Sequence, residues 1–445
     1  MIFKKQTFKG GVHPPEYKEL AEHQAIEVLP VPQQVIIPVQ QHLGAPGEPI
    51  VKVGDEVKIG DTVCEAKGYV SVPSHASISG KVKAIEKRPH PVGGNVLSVV
   101  IESDGNDALS PSIAPIPNYL AQNVDEMKKK IQASGIAGMG GAAFPTHVKL
   151  SPPANKPIDT FILNGAECEP FLTADHRLMI ERPNEILEGV RIIKKILGCK
   201  TGFIAIEKNK PDAIALMQQL LDSSGDELKV VALNVKYPQG AEKQLIKSIT
   251  NRNVPAGGLP MDVGCLVHNV GTAKAIFDAV SSNRPLIERV VTVTGTGIKQ
   301  SKNLLVRIGT PFQNLIDFCG GFSEETIKVI NGGPMMGIAQ YTLDVPVTKG
   351  TSGILLLTEK EAEILEPGPC IRCARCVDIC PMNLLPNTLV QLIENKRFDE
   401  AHKTGVLDCI ECGSCAFICP SKIRHIHHFK YGKFEVTKLL KSKAA

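Results

Sequence analysis

Eight of the thirteen cysteines fall in two short runs near the C-terminus. The first is Cys370-x-x-Cys373-x-x-Cys376-x-x-x-Cys380-Pro381, and the second is Cys409-x-x-Cys412-x-x-Cys415-x-x-x-Cys419-Pro420. Three thiolates at that tight spacing reach three corners of one cubane cluster, and soft sulfur favours iron–sulfur over hard cations. Paired zinc sites show separated Cys pairs instead. The chemistry expected is one-electron transfer by two [4Fe-4S] clusters. The remaining Cys64, Cys168, Cys199, Cys265 and Cys319 are scattered, and the odd total argues against a fully paired disulfide scaffold.

A second chemistry-bearing stretch is the Gly-rich segment Ser134 to Lys149. Gly138-x-Gly140-x-x-Ala143 satisfies the dinucleotide fingerprint, but that fingerprint has to follow a strand. Here Val124–Ala133 precedes it, charged and helix-like. The ordinary Rossmann reading therefore fails. A Gly-rich loop still lets backbone N–H groups approach phosphates, and Lys149 can pair with one. Further on, Asn164-Gly165-Ala166-Glu167-Cys168-Glu169-Pro170 places two carboxylates around a cysteine. Cys168 reads as a small packing residue, and His425, His427 and His428 as part of a solvated basic tail.

These residues need elements to hold them. From Val31 to Glu102 short β-rich pieces recur: Gln34–Val39, Ile50–Val57, Gly68–Val72, Gly80–Ile85 and Val96–Glu102, punctuated by Gly and Pro. A Pro-rich linker (Pro111, Pro115, Pro117) leads to alternating elements. Strands are expected at Ile158–Asn164, Thr201–Glu207 and Leu228–Val235, and helices from Pro183 to a stop at Gly198 and over Pro211–Leu221. Such alternation predicts βαβ units and a mostly parallel sheet. A smaller unit follows, with strands Val290–Thr294, Leu304–Ile308 and Ile327–Asn331 and helix Pro311–Phe318. Between the Cys runs, Leu389–His402 is helix-like.

At 445 residues the chain exceeds one ordinary core. A net charge of +4 is too weak to argue for nucleic acid, and 4% aromatics with no Trp leave little for stacking single strands. No apolar run approaches the roughly 18 residues of a spanning helix. Met1–Lys5 lacks the apolar stretch of a signal peptide. A cytoplasmic location is expected, with clustered Cys binding metal.

Several segments carry a family resemblance. Val53–Asp61, Val72-Pro73-Ser74 and Ser79–Val82 resemble the barrel-sandwich hybrid of biotinyl and lipoyl carriers, with Lys67 a solvated turn lysine. Gly138–Lys149 is similar to the Gly-Gly-Ala-Gly-Phe-Pro-Thr segment of the flavin- and NADH-binding subunit of respiratory complex I. Asn164–Pro170, followed by Asp175, resembles that family's Asn-Ala-Asp-Glu-Ser-Glu-Pro, with Ala166 replacing its Asp. Tyr237-x-x-Gly240-x-Glu242 is a third match, with Ala241 replacing the first of two Glu, and Asn269 and Thr272 fall on a fourth. Taken over nearly its whole length, the chain looks most like the RnfC family of the Rnf electron-transport complexes.

The resemblance implies a barrel-sandwich domain (1–112), an FMN/NADH-binding α/β domain (113–285) and a β-grasp soluble-ligand-binding module (286–358). A two-cluster ferredoxin domain (359–430) and a basic tail (431–445) complete it. FMN would be held by Gly138, Gly140, Gly141, Lys149 and Asn164, with Asn269 and Thr272 also in the cofactor site. NAD(H) would stack near Phe144, Glu167, Glu169 and Glu242. Acidic residues accept hydrogen bonds from ribose hydroxyls and disfavour a 2′-phosphate, so NAD is expected over NADP. As in two-cluster ferredoxins, the fourth Cys of each run would serve the other cluster. That assigns Cys370, Cys373, Cys376 and Cys419 to one cluster, and Cys409, Cys412, Cys415 and Cys380 to the other. The expected role is the NAD(H)-binding subunit of an ion-translocating ferredoxin:NAD oxidoreductase, peripheral on the cytoplasmic side of the membrane. Its partners would be the other subunits, with ferredoxin met indirectly. The alternative is a soluble flavin and iron–sulfur reductase, serving a cobalamin or a redox-sensing regulator.

Overall fold

The computed structural model describes residues 6–362 and 365–444. Met1–Lys5, expected to lack a leader, lie outside them, as do residues 363, 364 and 445. The β-rich start folds as two small sheets. One runs Gln34–Pro38, Asn95–Ser103, Gly80–Pro89, Glu56–Val57; the other runs Glu48–Pro49, Thr62–Glu65, Ser74–His75. Two expected strands are shorter or displaced. Ile50–Val57 is cut by a turn in which Asp55 accepts from the Lys52 N–H and Gly54 adopts φ +99°, leaving Glu56–Val57. Gly68–Val72 begins at a left-handed Gly68 (φ +85°), and pairing resumes only at Ser74–His75.

Next comes a four-stranded parallel sheet in the order Leu228–Leu233, Thr201–Glu207, Thr160–Gly165, Cys265–Asn269. Helix Val124–Ala133 precedes it, started by a reciprocal Asn123–Glu126 capping box. Pro183–Leu197 begins with Pro at its first position and ends at left-handed Gly198, where the sequence places its stop. Pro211–Ser224 runs a turn beyond the expected Leu221, to left-handed Gly225. Helices Pro183–Leu197 and Val270–Ser282 pack through Gly189, where a Cβ would lie 1.9 Å from the Ala273 carbonyl oxygen.

The β-grasp unit is a six-stranded mixed sheet: Ile26–Val28, Lys302–Arg307, Glu288–Thr294, Gly353–Thr358, Thr326–Asn331, Ile338–Ala339. Its edge strand Ile26–Val28 comes from the N-terminal segment, pairing in parallel with Lys302–Arg307. The N-terminal segment therefore serves more than the barrel-sandwich. Buried apolar side chains run without a break from Val35 and Val99 through Ile136 and Phe161 to Ile276, so the first two domains share one core.

The Cys runs sit on short turns and the helices Arg375–Asp378 and Ser414–Ile418. Between them are two helices, Pro386–Glu394 and Phe398–Lys403, divided near left-handed Lys396. The expected solvated tail is instead part of a 20-residue helix, His425–Ala444, whose Phe429 (1% exposed) and Val436 pack with Leu389 and Ile393. Phe429 and Val436, two turns apart, give this basic segment a face to bury. His425, expected to be solvated, is likewise buried, its Nδ1 2.9 Å from the Ile423 carbonyl oxygen. Among the described residues no helix is long and apolar enough to cross a membrane.

Candidate functional site

The Gly-rich loop leaves helix Val124–Ala133 through left-handed Gly135 and closes where the Gly138 N–H donates to the Phe144 carbonyl at 2.9 Å. The Met139 N–H donates to Thr272 Oγ1 at 2.9 Å, fixing the loop over the start of helix Val270–Ser282. Asn269 caps that helix by accepting from the Gly271 N–H at 2.8 Å. A Cβ on Gly140 would come 3.2 Å from that of Asn269, whereas Gly141 (φ +123°) has nothing within 4 Å. The N–H groups of Gly140 and Gly141 have no hydrogen-bond partner among the described residues. Free amides over a helix N-terminus suit an anion such as a flavin phosphate. Gly138, Gly140, Gly141, Asn269 and Thr272, all expected from sequence, thus meet at one place, with Phe144 half-buried beside them.

Lys149 and Glu242, expected to serve different ligands, bond to each other at 2.8 Å, and Lys149 also donates to the Val267 carbonyl at 2.7 Å. Asn164, at the end of strand Thr160–Gly165, ties two loops together. Its amide donates to the Gly240 carbonyl at 2.9 Å and accepts from the Ala166 N–H at 3.1 Å.

The two carboxylates of the acidic loop diverge. Glu167, in a left-handed conformation (φ +40°), accepts from the Asp175 N–H at 2.7 Å and the His176 N–H at 3.3 Å. It thereby satisfies free donors at the start of helix Ala174–Glu181. Asp175 lies beneath, accepting from Asn269 Nδ2 at 2.6 Å. Burial and then the Glu167 charge push its carboxyl up to about 7. Glu169 turns the other way, accepting from the Met335 N–H at 3.1 Å, the Met336 N–H at 2.9 Å and Tyr237 Oη at 3.4 Å. Burial pushes it up to about 7 as well, against those donors. Glu169 thus joins the acidic loop to the β-grasp unit rather than lining the Gly-rich loop.

All thirteen cysteines are free. Among the described residues no three Cys, His, Asp or Glu side chains close on a single ion. Eight of the cysteines instead line two cavities, four to each. The first is lined by Cys370, Cys373, Cys376 and Cys419, the second by Cys380, Cys409, Cys412 and Cys415. Left-handed residues bend each run around its cavity: Arg372 and Ala374 in one, Glu411 and Gly413 in the other. Four thiols around one cavity are the donor set of a cubane cluster. Cys370 and Cys373 are exposed at the first cavity. At the second, Cys380, Cys412 and Cys415 are buried and Cys409 half-buried, and Cys412 packs with Tyr237 and Val12 in a cluster that Cys168 abuts. Cys168, itself beside Glu167, accepts from the Gly240 N–H at 3.3 Å, so the inner cavity abuts the loops around Asn164.

Sequence reasoning left out Arg289, Lys18 and Lys210. Arg289 is buried, donating to the carbonyls of Lys349 and Met139 behind the Gly-rich loop. Lys18 and Lys210 hold the carbonyls of the acidic loop. All three lie outside any local motif, and only the tertiary fold brings them in.

Comparison with known proteins places these sites in families. Residues 131–278 match the Nuo51 FMN-binding domain, 6–106 the RnfC barrel sandwich hybrid domain, 290–339 the SLBB domain and 362–420 a 4Fe-4S dicluster domain. In overall fold the chain is similar to an NAD+-reducing [NiFe]-hydrogenase chain in the H2-reduced state. That likeness has a TM-score of 0.51 and 17% identity, over 70% of this chain and 62% of that one. The chain is 51% identical to the C subunit of the proton-translocating ferredoxin:NAD(+) oxidoreductase complex of Clostridium ljungdahlii, over 97% of this chain and 94% of the relative. It is 48% identical to the Na(+)-translocating counterpart of Acetobacterium woodii, over 92% of each chain. With the C subunit of the ion-translocating oxidoreductase complex of Rhodobacter capsulatus it shares 44% identity, over 96% of this chain and 82% of the relative. Four domain matches and relatives aligned almost end to end place this oxidoreductase subunit, with its FMN-binding and 4Fe-4S domains, in the RnfC family of the Rnf complexes.

Proposed function

We propose that this chain is the NAD(H)-binding subunit of a membrane-associated, ion-translocating ferredoxin:NAD oxidoreductase. Electrons pass between ferredoxin-side partners and NAD through FMN and two [4Fe-4S] clusters. The observation that carries this reading is the packing of Cys412 with Tyr237 and Val12, with Cys168 against the same cluster, which brings a thiol-lined cavity against the loops flanking the Gly-rich segment. Bound FMN would supply the exchange between two-electron hydride chemistry and one-electron clusters. Gly138, Gly140, Gly141 and the start of helix Val270–Ser282, with Asn269 and Thr272, hold its phosphate end. Asn164 and Lys149 fix the adjoining loops. Phe144, Glu167 and Glu242 face the dinucleotide, while Glu169 orients the acidic loop from behind.

The grouping of thiols supports crossed ligation. Cys380, Cys409, Cys412 and Cys415 form the inner cluster next to the flavin. Cys370, Cys373, Cys376 and Cys419 form the outer one, open to a partner protein. That the family's complexes are named as ion-translocating supports peripheral attachment to a membrane through partner subunits, and the cytoplasmic face is part of the same proposal. The test is NADH-dependent reduction of an artificial acceptor by the cluster-loaded chain with and without FMN. Activity only with FMN supports the reading; equal activity in both preparations refutes it.

A further inference from the structure

Lys18 is a fully enclosed ammonium, 5% exposed, on the N-terminal segment. Its Nζ donates to three backbone carbonyls: Glu167 at 2.9 Å, Glu169 at 3.1 Å and Leu172 at 2.6 Å. An ammonium has three donors, and here each has an acceptor. No carboxylate forms a salt bridge with it among the described residues. A second buried ammonium, Lys210, donates to the Ala166 carbonyl at 3.1 Å. Together the two hold the carbonyls of Ala166, Glu167, Glu169 and Leu172 towards the interior. Because the peptide bond is trans, the N–H groups of Glu167 and Cys168 point the opposite way. Neither has a partner among the described residues. Glu167 meanwhile sits in the left-handed region (φ +40°), which a non-glycine residue keeps only where its surroundings enforce it.

The same segment is laced to the loop on either side of Lys18. Tyr17 stacks on Phe171 with ring centroids 4.5 Å apart, and the Phe171 N–H donates to the Glu16 carbonyl at 2.7 Å. Further back, the Gly11 N–H donates to the Ile379 carbonyl at 2.7 Å, one residue from Cys380, and Val12 pairs with Tyr237.

We propose that Lys18 is a positioning residue of the dinucleotide site, fixing the Asn164–Pro170 loop so that the Glu167 carboxylate and the outward amides stand ready for NAD(H). The proposal rests on the reading of that loop as the dinucleotide site. Lys18 bonds neither the Gly-rich loop nor any cluster cysteine, so its effect is expected to fall on the nucleotide first. Methionine keeps the length of the stem but leaves three buried carbonyls without a donor. Arginine's planar fork does not match three converging acceptors.

The experiment uses the chain loaded with FMN and both clusters, and compares wild type, Lys18→Met and Glu167→Gln. KM for NADH, KM for the artificial acceptor, kcat and the FMN dissociation constant are measured for each. Lys18→Met is expected to raise the NADH KM by about tenfold to a hundredfold, the scale of leaving buried acceptors unpaired. The acceptor KM and FMN affinity are expected to stay within about twofold of wild type, a split that general loosening of the fold would not give. If Glu167→Gln raises the NADH KM and Lys18→Met does not, the proposal for Lys18 is overturned while the loop reading stands. If neither variant moves it, both fall. Should Lys18→Met lose FMN or iron, Tyr17→Ala decides, because it frees the same segment without stranding buried carbonyls. A rise of about threefold in NADH KM is expected, and a wild-type value overturns the proposal.

Discussion

Glu167 and Glu169 are two residues apart, yet one carboxylate caps helix Ala174–Glu181 and the other grips the Met335 and Met336 amides. The sequence motif shows that both acids are present, but the turn of the loop sends them to opposite sides, which no local pattern reveals. The same limit hides Lys18 and Arg289, which hold carbonyls far along the chain from themselves. The cysteine spacing, by contrast, encodes its geometry locally, so the eight thiols are legible before any fold. Burial raises the Glu169 carboxyl to about 7, above the ordinary carboxyl value. Between those two values the folded protein keeps a proton that the unfolded chain has released. Stability is therefore full below the window and falls as pH rises through it, by on the order of 3 kcal/mol at most. Glu169→Gln removes this titration. The expectation is that wild type loses thermal midpoint relative to the variant between about pH 5 and about pH 8; parallel pH profiles would count against it. For the clusters, Cys419→Ser should shift the same reduced-cluster paramagnetic signal as Cys373→Ser and spare that of Cys412→Ser. Grouping with Cys412→Ser would mean that each run binds its own cluster.

Strong periodicity and good caps make the helices Val124–Ala133 and Pro183–Leu197 readable as elements, down to the glycine that stops the second. Strand Cys265–Asn269 and helix Glu242–Thr250 are harder, because both are short and lie among Gly and Pro. The C-terminal helix reads from sequence as a solvated tail because its lysines dominate the composition. Its buried face is built on Phe429, Val436 and Gly432, which sits against Ile393. Close approach also decides the contact between Pro183–Leu197 and Val270–Ser282. At Gly189 the neighbour is backbone, which cannot swing aside as a flexible side chain does. Gly189→Ala is expected to destabilise the flavin domain by about 3 kcal/mol through overpacking. Since helix Val270–Ser282 carries Asn269 and Thr272 at its start, weaker FMN binding should accompany the lower thermal midpoint. A variant with wild-type melting would show that the two helices separate at little cost.

Across the whole molecule, the N-terminal segment crosses domain lines that composition alone would draw. It supplies Lys18 to the acidic loop, Val12 to Tyr237, Gly11 to Ile379 and strand Ile26–Val28 to the β-grasp sheet. One consequence is that the inner cavity, the acidic loop and the Gly-rich loop are held in a fixed order, with the outer cavity at the exposed end. Electron flow from NADH should follow that order, flavin before clusters. The direct measurement is anaerobic stopped-flow mixing of NADH with cluster-loaded chain, with and without FMN, following flavin and iron–sulfur absorbance together. The account predicts that flavin bleaches first and that any cluster reduction follows it, with the FMN-free protein showing neither. Cluster reduction by NADH at an undiminished rate in the FMN-free protein would contradict it.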